Sequence, residues 1–169
     1  MADDTPGADQ TAAGAGAAGT DQTPQLSLRT QYTKDLSFEN PRAPHSISPS
    51  QEAPNGDVQI KVSSQELGDD LHEIMLEFQI TASREGDVVF IVELAYGGVF
   101  TVRGFDAKTQ PLALWVECPR LLFPFARRVI ADVVRDGGFA PLMLGPIDFH
   151  RMYQQRLAEA AAEAEAAQA

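Results

Sequence analysis

From Leu26 to Phe38 the chain alternates: Leu26, Leu28, Thr30, Tyr32, Leu36 and Phe38 fall on one parity, and Arg29, Gln31, Thr33, Asp35, Ser37 and Glu39 on the other. A period of two predicts one half-buried strand. Asn40 to Gly56 carries Pro41, Pro44, Pro49 and Pro54, which excludes a central strand and predicts a long connection. Asp57 to Ser63 alternates again through Val58, Ile60 and Val62 and predicts a short strand. Between Leu71 and Ala82, Ile74, Leu76, Phe78, Ile80 and Ala82 share one face, opposite Glu73, Glu77, Gln79 and Thr81. Arg84 to Asp87 turns the chain. Val88 to Tyr96 is then apolar on both parities around Glu93, so one face meets the core and the other wants a partner. Gly97-Gly98 interrupts this strand as a bulge or bend would, with Val99 to Val102 as its continuation.

After Gly104 the period lengthens. Leu114, Cys118, Leu122, Phe125, Val129, Ile130 and Val133 recur at helical spacing, with Arg120, Arg127, Arg128, Asp132 and Arg135 largely elsewhere. This predicts a long helix, with Pro119 and Pro124 as candidate breaks and Gly137-Gly138 as its stop. Asp148 stands at an N-cap position before a second, shorter amphipathic helix through Phe149, Met152, Tyr153 and Leu157. Strands first and helices afterwards define an α+β class: an antiparallel sheet packed with one long and one short C-terminal helix.

Composition sets the boundaries. Residues 1–24 hold no aromatic or β-branched aliphatic side chain, so ordering them would cost entropy without burial in return; they are expected to form a disordered leader. Residues 25–157 make one domain, and the Ala/Glu run 158–169 is expected to be helical in part or disordered. With 24 acidic against 13 basic residues the net charge is -11. That balance disfavours nucleic acid, which needs clustered Lys and Arg, and suits either plain solubility or the attraction of basic partners. One cysteine, Cys118, excludes an internal disulfide and fits a reducing compartment. The N-terminus carries Asp3, Asp4 and Asp9 in place of a basic and apolar signal, and no apolar run reaches spanning length. A cytoplasmic protein without membrane insertion is expected.

No reaction is nominated. His45, His72 and His150 lack metal-ligand spacing, and nucleophile-elbow and phosphate-loop motifs are missing. Cys118 sits on the apolar side of a helix, as a small buried hydrophobe would. Asp69 and Asp70 fall between strand signals, where turn carboxylates are ordinary. No catalytic residue, metal or cofactor is expected. The unusual feature is an uncharged connection, Phe139 to Pro146, containing Leu142, Met143 and Leu144. Either it is buried under the helices or it borders an apolar groove that takes other chains.

Several segments together resemble the SecB family of protein-export chaperones. They are Tyr32-Thr-Lys-Asp-Leu-Ser-Phe-Glu-Asn-Pro-Arg-Ala-Pro44, Phe90-Ile-Val-Glu93 followed by Tyr96-Gly-Gly-Val-Phe100, Cys118-Pro-Arg-Leu-Leu-Phe-Pro-Phe-Ala-Arg127, and Gly138-Phe-Ala-Pro-Leu-Met-Leu-Gly-Pro-Ile-Asp-Phe149. The resemblance implies a four-stranded antiparallel sheet with two helices, a homotetramer built as a dimer of dimers, and nucleotide-independent binding of unfolded precursor proteins. It implies delivery to the SecA motor through Asp35, Glu39, Ile91 and Glu93. Client contacts would fall in an apolar groove with Phe139, Leu142, Met143, Leu144 and Phe149 as candidates. An acidic oligomeric adaptor without holding activity is the alternative.

Overall fold

A computed structural model describes residues 23–47 and 54–166. The leader expected at 1–24 therefore lies almost wholly outside the described residues, as do 48–53 of the proline-rich connection and 167–169. Four strands, β1 (Gln25–Glu39), β2 (Asn55–Gly68), β3 (Leu71–Arg84) and β4 (Asp87–Arg103), form one antiparallel sheet in the order β1-β4-β3-β2. Asp69–Asp70 and Glu85–Gly86 close the two hairpins, all four at positive φ, the backbone shape that matches a two-residue turn to strand twist. The connection after β1 carries the chain from one sheet edge to the other.

Pairing of β1 with β4 shifts between Leu28 and Thr30 and again between Thr33 and Asp35. Each shift adds one residue to β1, so the facing flips at Arg29 and flips back at Lys34. Leu26, Leu28, Leu36 and Phe38 pair with Val102, Phe100, Leu94 and Val92, on the side of the core. Thr30 and Tyr32 pair with Val99 and Gly97, on the other. The single apolar face expected for this strand is corrected accordingly.

The break expected at Gly97-Gly98 is also corrected: β4 runs straight through, held by β1 on one side and β3 on the other. The glycines make room. A Cβ on Gly98 would stand 2.7 Å from Leu122 Cδ2, and one on Gly97 would stand 2.8 Å from Met75 Cε.

A turn capped by the Asp106 carboxylate, which accepts from the Thr109 and Lys108 amides, leads into α1 (Gln110–Leu112). A π-helical segment, Ala113–Glu117, follows, and then α2 (Cys118–Asp136), without departure from right-handed helical angles at the joints. The breaks anticipated at the prolines are replaced by this widened turn. Pro119 has no N–H for the Trp115 carbonyl, and the π turn ahead of it, where the Cys118 amide reaches Ala113, absorbs the loss; Pro124 stays inside α2. Cys118, Leu122, Ala126, Ile130 and Val134 form the buried stripe. Phe125, placed on the apolar side by its spacing, is 42% exposed, because it sits one residue, about 100°, off that stripe; Phe123 is buried instead.

α2 ends in a paired cap: the Phe139 amide bonds Val134 and the Gly138 amide bonds Arg135, with Gly138 at φ 91°. Asp148 caps α3 (Phe149–Ala166) through the Arg151 amide at 3.0 Å. The helix expected to be short has 18 residues against 19 in α2, since the Ala/Glu run extends it with strong helix formers. The core lies between α2, the start of α3 and one sheet face, where Ile74, Leu76, Phe78, Ile80, Val92, Leu94 and Phe100 meet Leu122, Phe123, Ile130 and Phe149.

Candidate functional site

Residues paired directly across an antiparallel sheet share a face, so the register lays out the face turned away from α2 as rows. One runs Ser37, Glu93, Gln79, Gln59; the next Asp35, Ala95, Glu77, Lys61; a third Glu39, Ile91, Thr81, Asp57. Asp35, Glu39, Ile91 and Glu93 are thereby brought together, three exposed carboxylates around a half-buried aliphatic side chain. Asp35 and Glu93 are diagonal neighbours, about 7 Å apart on ordinary sheet geometry. Over Ala95 the surface dips into a depression of about 390 Å³ walled by Asp35, Glu93, Glu77, Gln79 and Lys61.

The carboxylates of this face fall into two groups. Glu77 is paired with Lys61 at 3.6 Å, and Glu73 with Lys34 at 3.3 Å. Among the described residues no cationic side chain forms an ion pair with Asp35, Glu39 or Glu93; Glu93 accepts only a long bond from Gln79, 3.4 Å. The Tyr32 hydroxyl donates to Glu73. That bond, then burial and the nearby charge, push the Tyr32 hydroxyl up to about 12, and the same bond, with help from Lys34, holds the Glu73 carboxyl below its usual range. Tyr32 reaches this face only through the bulges of β1, a placement its parity in the sequence does not disclose.

On the helix side, Phe38, Phe90 and Phe139 form an aromatic cluster with ring centroids 5.0–6.4 Å apart. Met143 is 61% exposed, and Phe139 and Leu142 are half-buried. Leu144 and Phe149, expected beside them in a groove, are buried at 7% and 2% exposure; Phe149 packs edge-on against Phe123 with centroids 6.0 Å apart. These two belong to the core and leave no surface for a client. Leu142, Leu144 and Phe149 look alike in composition, and only the path of the connection separates them.

A second hollow of about 280 Å³, not foreseen, opens between the β2 edge and α3 and is lined by Ile60, Val62, Trp115, Met152, Tyr153 and Arg156. Arg156 stacks on Trp115, 3.8 Å from its ring centre. Contacts between residues this far apart in sequence leave no local periodic trace.

Cys118 is fully buried, and burial, reinforced by the Glu117 charge, pushes its thiol up to about 12. It is therefore expected to resist iodoacetamide in the folded protein at neutral pH and to react fully once unfolded; mass spectrometry of the alkylated native protein checks this. None of the helices is long and apolar enough to cross a membrane, among the described residues.

The family model for the preprotein translocase subunit SecB matches residues 19–160. A protein-export protein SecB of Maricaulis maris is 50% identical over 143 residues, spanning 85% of this chain and 83% of that protein. Its counterpart in Rhodopseudomonas palustris strain TIE-1 is 49% identical over 137 residues, 81% and 87% of the two chains. Among solved structures, a SecB-like chaperone of Mycobacterium tuberculosis, in complex with a peptide from an antitoxin, superposes with a TM-score of 0.59. It is 11% identical and spans 73% of this chain and 91% of that one, a likeness of fold alone.

Proposed function

Because the chain belongs to the SecB family of protein-export chaperones, we propose that it binds unfolded precursors without nucleotide, keeps them competent for translocation and hands them to the SecA motor. The observation that carries this reading is the two-sidedness of the sheet: unpaired carboxylates on one face, and an aromatic cluster with half-buried and exposed apolar side chains on the other. Phe139, Leu142 and Met143 are the client contacts of this reading, with Leu144 and Phe149 supporting them from the core. Flexible and flat apolar groups repack around varied partners. The motor docks on Asp35, Glu39, Ile91 and Glu93, where its basic, zinc-bearing tail meets complementary charge. Holding and handing over involve no bond chemistry, so the protein acts as a cytoplasmic chaperone and not as an enzyme.

Light scattering from a dilute, slowly refolding precursor, with and without the chain and without ATP, tests the holding step. Suppressed scattering with a stable complex supports it; unchanged scattering replaces it with an adaptor that docks partners through the acidic face alone.

The working assembly is a homotetramer, a dimer of dimers. Leu121 and Phe125, one turn apart on α2, are 47% and 42% exposed in the single chain and are the apolar pair this reading places against another chain. Leu121→Asp with Phe125→Asp is expected to lower the mass measured by multi-angle light scattering from four chains to two or one. A variant that remains tetrameric would remove this face from the assembly.

A further inference from the structure

Resting on the docking role of the acidic face, we infer that Lys61, on the edge strand β2, sets the boundary of that face along the row of Asp35 by withholding Glu77 from the basic partner. Glu77 stands in the same row as Asp35 with only the small side chain of Ala95 between them, and it walls the same depression as Asp35 and Glu93. By position it is a fourth carboxylate of the docking surface. It differs from Asp35, Glu39 and Glu93 in having a cation of its own chain, Lys61, 3.6 Å away. Lys34, on β1, does the same for Glu73 four residues along β3. Along the row of Asp35 the open carboxylates thus lie over β1 and β4, and Lys61 closes that row at the β2 edge; in the row of Glu39, Asp57 on β2 forms no ion pair among the described residues.

An extended basic segment crossing the sheet along the row of Asp35 therefore meets attraction at Asp35 and the neighbouring Glu93 and repulsion at Lys61. This fixes where its positive side chains stop, and like-charge contacts of this kind suppress misplaced registers. Lys61 is 77% exposed and its partner 47%, so the pair is weakly held and swings aside at small cost. An edge lysine also discourages strand addition; that role does not involve Glu77, and the two are separable by experiment.

The test is calorimetric titration of the full chain with a zinc-loaded, Lys- and Arg-rich peptide of the motor's tail at low salt. Lys61→Gln is expected to tighten binding roughly threefold, the scale of one exposed ion pair, with the gain shrinking as salt is raised. Lys61→Gln with Glu77→Gln should return affinity to within about twofold of the parent, and Lys108→Gln, an equal charge change in the exposed turn between β4 and α1, should leave it there. Unchanged or weaker binding by Lys61→Gln overturns the inference, as does a double variant that stays as tight as the single one. Peptide binding that ignores Asp35→Asn with Glu93→Gln is a different result, since it removes the docking reading itself.

Discussion

Gly98→Val is expected to destabilise the fold by about 3 kcal/mol or more, the upper end of overpacking in a tight core. The added Cβ would lie 2.7 Å from Leu122 Cδ2 and 3.2 Å from both Leu28 Cδ1 and Phe100 Cε2, before the two methyl groups are placed. Leu28 is 37% exposed and can swing away, but Leu122 and Phe100 are fully buried and have nowhere to go. β4 cannot retreat either, because it is paired on both sides over most of its length. A domain of this size loses roughly 2–4 °C of Tm per kcal/mol, so a fall near 10 °C should be visible by calorimetry. Chain concentration must be held fixed, since assembly shifts apparent stability. Gly56→Val is the control: a Cβ there meets nothing within 4 Å, and the expected change is within about 0.5 kcal/mol. Equal losses in the two variants would mean that glycine in these strands matters for its backbone and not for the space it leaves.

That contrast shows what is legible in such a sequence. Alternation in β3 and β4 marks the inner face correctly because both strands are regular where Ile74 to Ile80 oppose Val92 to Gly98. β1 defeats the same rule. Its bulges at Arg29 and Lys34 are one residue each and cancel, so Leu26 and Phe38 agree in parity while Tyr32 between them faces the other way. Neither bulge carries a glycine to betray it. The π turn before Pro119 is likewise a local answer to a missing N–H, and periodicity alone reads it as a break. Of the acidic face, the shared parity of Asp35 with Glu39 and of Ile91 with Glu93 is visible in the chain, but that these pairs lie on adjacent strands follows only from the register. The neutralisation of Glu77 and Glu73 by lysines from β2 and β1 needs side-chain positions. Composition marks Phe139 to Pro146 as apolar without separating exposed Met143 from buried Leu144, because a loop has no repeating face to assign.

Reversing Asp35 and Glu93 together, as Asp35→Lys with Glu93→Lys, is expected to weaken binding of the motor's basic tail by at least about thirtyfold while leaving suppression of client aggregation within about twofold of the parent. Each reversal changes the local charge by two units, and the positions are diagonal neighbours well inside the Debye length of about 10 Å at 0.1 M salt. A basic segment that met three open carboxylates would then meet two cations and Glu39, so both its steering and its final contacts suffer. The neutral pair Asp35→Asn with Glu93→Gln should fall between parent and reversal, with a shallower dependence on salt. Stability should change little, because both side chains are exposed and neither forms an ion pair with the described residues. The client arm carries equal weight. Phe139 and Met143 belong to the helix side, with the sheet between them and the reversed charges, so loss of holding in the reversed variant would show that the two surfaces act as one. Retained tail binding would move the motor contact off this face altogether.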